Sequence, residues 1–105
     1  MQIHQAEYNI GQVIFHKHYN FRGVIVDVDA EFSADDEWYN TNAKNHPPKD
    51  RPWYHVLVDD GTSIAYVSEQ NISSDLSDLE VHNPLLLDLL GTNDDGEYIS
   101  IQTMN

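Results

Sequence analysis

The chain has 105 residues, with 5 Lys and Arg against 18 Asp and Glu and a formal charge of −13, a length that suits one small domain able to bury roughly two-thirds of its unfolded surface. It is 40% hydrophobic and has no Cys, which excludes a disulfide framework, thiol nucleophiles and thiolate metal sites. The charge balance weighs against nucleic-acid binding, because affinity for phosphates comes mostly from Lys and Arg and five cations form no broad patch.

From the N-terminus, Met1 to Gln5 has neither a basic n-region nor an apolar h-region. The longest near-apolar run, Leu85 to Leu90, is interrupted by Asp88 and is too short for a bilayer. A soluble, cytoplasmic protein with no membrane partner is the expectation. Gly11 introduces a β-rich run, Gln12 to His16, and a turn near Tyr19-Asn20 leads to a second run, Arg22 to Phe32. There Val24, Val26, Val28, Ala30 and Phe32 share one parity and Asp27, Asp29 and Glu31 the other, the alternation of a half-buried strand.

Residues 33–52 break the pattern with mixed charge and Pro47-Pro48, which predicts a recognition or mobile loop rather than framework. Ser33 with Asp36 offers a capping box for a short helical turn through Trp38-Tyr39. Next, Trp53 to Asp59 and Thr62 to Ser68 flank Asp60-Gly61, the signature of a two-residue type I′ hairpin. Its register sets 57 against 64 and 55 against 66. His55, Leu57, Ile64 and Tyr66 then share one face, with Tyr54, Val56, Val58, Ala65 and Val67 on the core face. Val56, Val58 and Val67 are expected to be buried, and Asp59 and Thr62 exposed.

Glu69 to Ile72 reads as a tight turn leaving the sheet, and Ser73 to Asp78 as a polar connection. Asn71-Ile72-Ser73 is a glycosylation sequon that reads as chance without a secretion signal. Asn83 before Pro84 predicts an N-cap, Gly91 a C′ residue, and 84–90 a short helix with Leu85, Leu86, Leu89 and Leu90 on its docking side. Glu97 to Gln102 is a last strand or a tail. The division expected is a core over 1–75 carrying the 33–52 loop, and an acidic C-terminal segment over 76–105 belonging to the same domain. All five Lys and Arg precede residue 56, whereas 56–105 holds ten acids and no Lys or Arg.

Gly11-Gln12-Val13, Phe21-Arg22-Gly23-Val24-Ile25, Asp27-Val28-Asp29, Trp53-Tyr54-His55-Val56 and Tyr66-Val67-Ser68-Glu69-Gln70-Asn71 together resemble the HspQ/YccV-like, or hemimethylated DNA-binding, family of bacterial heat-shock proteins. The resemblance spans about residues 8 to 72 and ends near Asp75. It implies a mainly β fold, a small SH3-like barrel of about five short strands with one or two short helical segments. It also implies a role in protein quality control, promoting degradation of client proteins, denatured DnaA among them, by the ATP-dependent protease Lon. A second implied activity is binding of hemimethylated DNA near the replication origin.

Chemistry-bearing residues divide into four groups. His16-x-His18 with His55 and Asp59 is suggestive of a metal set, but ligand count and geometry favour ordinary structural or surface histidines, so neither metal nor cofactor is expected. The carboxylate pairs Asp27/Asp29 and Asp59/Asp60 sit on a solvated face or turn. No phosphate loop, nucleophile elbow or Ser/His/Asp order is present, so no enzyme is expected. Trp38, Tyr39, Trp53, His55 and Tyr66 are the candidate protein-binding residues, with plain packing as the alternative and Tyr54 assigned to the core. For DNA the candidates are Lys17, Arg22, Lys44, Lys49 and Arg51, joined by His16 and His18 as pH falls toward about 6. The reading is a noncatalytic adaptor, with DNA binding as the runner-up. Client identity and homo-oligomerisation stay open.

Overall fold

Alternating and β-branched residues give four strands in the computed structural model, which describes residues 5–43, 45–77 and 79–100. They are β1 (Val13–His16), β2 (Arg22–Asp29), β3 (Trp53–Val58) and β4 (Ile64–Ser68). A 3₁₀ turn, Glu69–Asn71, leads into β5 (Ile72–Ser74), which pairs antiparallel with β1 through His16 opposite Ile72. The expected polar connection from Ser73 therefore begins as an edge strand. The order β4-β3-β2-β1-β5 places two strands separated by only three residues on opposite edges of one antiparallel sheet. A flat sheet would set those edges about 19 Å apart, while the four Cα steps from Ser68 to Ile72 reach no more than about 15 Å. The sheet is therefore strongly curled. Among the described residues no ladder joins β4 to β5, so the fold is mainly β, as expected, without a barrel closed by hydrogen bonds.

Curling is concentrated in β2, where a bulge falls between Ile25 and Asp27 and raises the local twist. The bulge also breaks the single parity expected for this strand. Val24 and Val26 pack on one side of the sheet, whereas Ile25 and Val28 pack on the other. The second side holds the first core: Ile14, Ile25, Tyr54, Val56, Val67 and Ile72. Gly23 sits where a Cβ would meet Leu57 O and Val56 Cγ1 at 2.5 Å, so only glycine lets β2 and β3 approach this closely.

Leu57, expected on the less apolar face, is fully buried. The cause is the C-terminal segment, which lays Val81, Leu86 and Leu90 over Val24 and Leu57 as a second core. Helix α2 (Leu86–Leu89) is shorter than expected. Asn83 Oδ1 accepts from Leu85 N at 2.9 Å, but the helix begins later, with Leu85 at the N-cap and no side-chain cap bond, Leu90 has extended backbone, and Gly91 lies in β6 (Leu90–Thr92) rather than at C′. Leu86 and Leu90 are buried and Leu85 packs half-buried against that core, whereas Leu89 is exposed. Strand β6 pairs with β7 (Tyr98–Ser100), which makes a last strand of that run; residues 101 and 102 lie outside the described residues.

The β3–β4 register is as expected, Leu57 opposite Ile64 and His55 opposite Tyr66. The turn is not type I′, since Asp60 has φ 61° but Gly61 has no positive φ. Instead Val58 N donates to Ser63 O, Asp59 N to Arg22 O and Asp60 N to His82 O, so neighbours outside the hairpin set the loop. Val58 is consequently only half-buried, and Asp59 is half-buried rather than exposed. Within 33–52, α1 (Asp36–Asn42) is capped by Asp35, whose side chain accepts from Trp38 N, while Ser33 turns toward Asp29. No helix among the described residues is long and apolar enough to cross a membrane.

Full burial of Leu57 beneath the C-terminal cover, against half-burial of Val58, implies a clear ordering of variants. Leu57→Ala should cost about 2–5 kcal/mol through lost burial and a cavity, and Val58→Ala distinctly less. Denaturant midpoints of the two variants check this, and equal losses would return the C-terminal cover to the surface.

Candidate functional site

The first residue of β3, Trp53, is 1% exposed although it stands at the very start of its strand. Phe32, Trp38 and Tyr39 cover it, brought there because the chain leaving β2 folds back, with Phe32 N donating to Lys49 O at 2.9 Å. Phe32 is central: its ring lies 4.9 Å from Trp53, 5.4 Å from Tyr39 and 5.9 Å from both Trp38 and Tyr66. Tyr39 OH donates to Pro47 O at 2.8 Å and Trp53 Nε1 to Pro48 O at 3.1 Å, so the two buried polar tips are satisfied by the proline pair. These contacts make much of the 33–52 segment a packed cover.

Beside the rings, Asp29 organises a polar group. Its Oδ2 accepts from Ser33 Oγ at 2.6 Å and Tyr66 OH at 2.7 Å, and lies 3.1 Å from His55 Nε2. Burial works against the charged carboxylate, but the bonds from Ser33, Tyr66 and His55 outweigh it and hold Asp29 below its ordinary range. The Tyr66 hydroxyl is raised, by burial first and by Asp29 among the lesser causes, and so stays a proton donor. His55 stacks on Tyr66 at 4.7 Å.

Of the five candidate protein-binding residues, the structure thus gathers Trp38, Tyr39, Trp53, His55 and Tyr66 at one place. Tyr39 and Trp53 are buried; Trp38, His55 and Tyr66 are half-buried and form its outer side. Tyr54 is in the core, as expected. The sequence does not mark Phe32 or Ser33 as site residues, because the alternation carries Phe32 into a longer strand than β2 forms. Spacing pairs Asp29 with Asp27, whereas its partners in the fold are Ser33, His55 and Tyr66.

The cations are dispersed. Arg22 bridges Asp59 (Nη1 to Oδ2, 2.9 Å) and Asp75 (Nη2 to Oδ2, 2.9 Å), with Nη2 also donating to Leu79 O. Its side chain is 16% exposed. Lys49 pairs with Asp36 at 2.9 Å and lies 4.3 Å from the Tyr39 ring centroid. Lys17 Nζ donates to Gln70 O at 3.3 Å, Arg51 is half-buried, and Lys44 lies outside the described residues. His16 is buried, its Nδ1 accepting from His18 N and Tyr19 N, and burial and then His18 lower its pKa. It is therefore poorly placed to add charge.

The suspected metal set does not form among the described residues, since His16 and His18 share no cluster with His55 and Asp59. Ligand atoms converge instead in Asp27/Asp29/His55 and in Asp59/Asp60/His82. In both, the key carboxylate already serves protein donors, Ser33 and Tyr66 in one and Arg22 in the other.

Residues 6–97 match the family model described as hemimethylated DNA-binding protein YccV like. That span takes in nearly all of the described chain, including the C-terminal cover, and the chain belongs to the YccV-like family.

Tyr66→Phe keeps the ring and removes the donor to Asp29, so a loss of about 0.5–1.5 kcal/mol is expected. The pH dependence has a defined sign. A lowered folded pKa gives stability that is present above the ordinary carboxylate value of 3.8 and is lost as pH falls through the folded value. The stability gap between the native chain and Asp29→Asn should accordingly shrink on acidification below that value. Denaturant titrations across that range check it, and a gap that widens toward low pH would contradict the assignment.

Proposed function

We propose that this YccV-like chain is a noncatalytic adaptor of stress-time protein quality control, which in the cytoplasm promotes degradation of selected denatured proteins by the ATP-dependent protease Lon. The Lon partnership and denatured DnaA as a client follow from the family resemblance. The observation that favours an adaptor over a phosphate binder is Arg22, held between Asp59 and Asp75 in a chain of charge −13. Phosphate would have to displace two carboxylates from it, and long-range repulsion opposes the encounter. The same acidity speeds association with a basic partner surface. The half-buried outer side of Trp38, His55 and Tyr66 is a second contact that such a partner can use. No catalytic role is assigned to the carboxylates, because each positioned one is engaged by protein donors.

The family description favours a second reading, a module that binds hemimethylated DNA. It would depend on Lys17, Lys49, Arg51 and Lys44, with Arg22 retained in the fold.

Two measurements separate the readings. An adaptor should accelerate degradation of a denatured client by purified Lon while showing no methylation-dependent affinity for duplex DNA. Salt titrations with hemimethylated and unmethylated duplexes are the decisive control. Tighter hemimethylated binding with a negative slope against log salt, together with no effect on Lon, would replace the adaptor by the DNA module.

A further inference from the structure

An open groove of about 1350 Å³ runs between the hairpin turn at 60–62 and the C-terminal segment. Its floor is the second core, with Val81 and Leu86 nearly inaccessible. Its walls carry three leucines that the fold leaves in water: Leu76 is 87% exposed, Leu79 64% and Leu87 84%. Its rim is acidic, with Asp60, Glu80, Asp95 and Glu97, while Asp75 is already paired with Arg22. Among its described lining residues only His82 can carry positive charge, and that exposed ring already lies 3.7 Å from Asp60 and 3.8 Å from Glu80.

We propose that this groove receives a basic, amphipathic segment of a partner protein. Several exposed leucines gathered in one polar-rimmed concavity mark an interaction surface rather than scattered surface apolarity. The rim decides the sign of the occupant. Residues 56–105 contain no Lys or Arg, so the segment that builds most of the groove cannot neutralise its own acids, and Arg22 is committed to Asp59 and Asp75. A second copy of the chain would bring another −13 to the same place. Lysine and arginine suit it, since their aliphatic stems lie along leucine while their charged ends reach the carboxylates. The inference deepens the adaptor reading and rests on it in taking the partner to be a protein. It places the primary contact on the face built by the C-terminal segment, apart from the aromatic cluster.

The test uses the full chain and a short fluorescent peptide carrying Lys and Leu at helical spacing, with a Lys and Ser peptide as its counterpart. Saturable one-to-one binding of the Lys and Leu peptide is expected, with the serine counterpart binding about tenfold more weakly or worse. Leu79→Ser with Leu87→Ser should weaken binding similarly while leaving the thermal midpoint in place, because both side chains are exposed. Glu80→Lys should weaken it more than Glu31→Lys, the same charge change outside the groove. Equal binding of the two peptides, or equal effects of the two charge reversals, would reduce the attraction to diffuse acidity and overturn the site. A concentration-dependent dimer in sedimentation, abolished by the leucine double variant, would give the groove to a second copy and also overturn it. The assay contains no Lon. Peptide binding without stimulation of Lon would count against the adaptor role alone, and stimulation retained by groove variants against the groove alone.

Discussion

Three residues, Glu69–Asn71, join strands that the hydrogen-bond order sets on opposite edges of the sheet. Everything else accommodates that short tether. It cannot be spanned unless the sheet curls, and the curl is produced where β2 inserts an extra residue at Val26. The tether is held at each end by a bond that extends an existing ladder, β1–β5 at one and β3–β4 at the other. Lys17 N donates to Asn71 O and Glu69 N to Pro52 O. Curling gives the concave side enough aliphatic residues to form a core around Tyr54, whose hydroxyl donates to Glu69 of the tether itself. The convex side then has to be covered by other parts of the chain.

Two covers divide that convex side. Phe32, with Trp38 and Tyr39 of the 33–52 segment that follows it, covers Trp53, and the C-terminal segment brings Val81, Leu86 and Leu90 over Val24 and Leu57. The second cover is acidic, and its attachment depends on one cation. Arg22 at the start of β2 reaches Asp59 beside the hairpin, Asp75 just after β5 and the carbonyl of Leu79. A half-buried guanidinium with three partners loses far more when one is removed than an exposed pair such as Lys49 with Asp36. This is why a residue that looks like a phosphate ligand in the sequence acts as a clasp in the fold.

What could be read without coordinates was local. The Asp60-Gly61 signal located the hairpin and its pairing, and the Tyr54, Val56 and Val67 face followed from period-2 alternation. The type of turn did not follow, because His82 and Arg22, distant in sequence, bond to its backbone. The bulge at Val26 was invisible, since Val24, Val26 and Val28 alternate without a break. Leu57 was misplaced for the same reason: its neighbours His55 and Tyr66 suggest a wet face, and its cover arrives from residues beyond 80. The aromatic cluster was legible as a set of residues. Its centre at Phe32 and its polar anchor at Asp29 needed the fold-back of the 33–52 segment to be seen.

The scarcity of cations links the architecture to its surface. Ten acids in residues 56–105 have no Lys or Arg of their own, so beyond the Arg22 clasp that segment has to be held by apolar contact. Leu86 and Leu90 supply that contact. A short helix cannot point all its leucines inward, however, and Leu87 and Leu89 remain on the outer side. Apolar residues recruited to fix an acidic segment therefore leave some of their number beside the carboxylates they serve to anchor. An acidic surface interleaved with leucine is a consequence of docking this segment with a single cation, Arg22, and it selects partners by charge and apolar contact together.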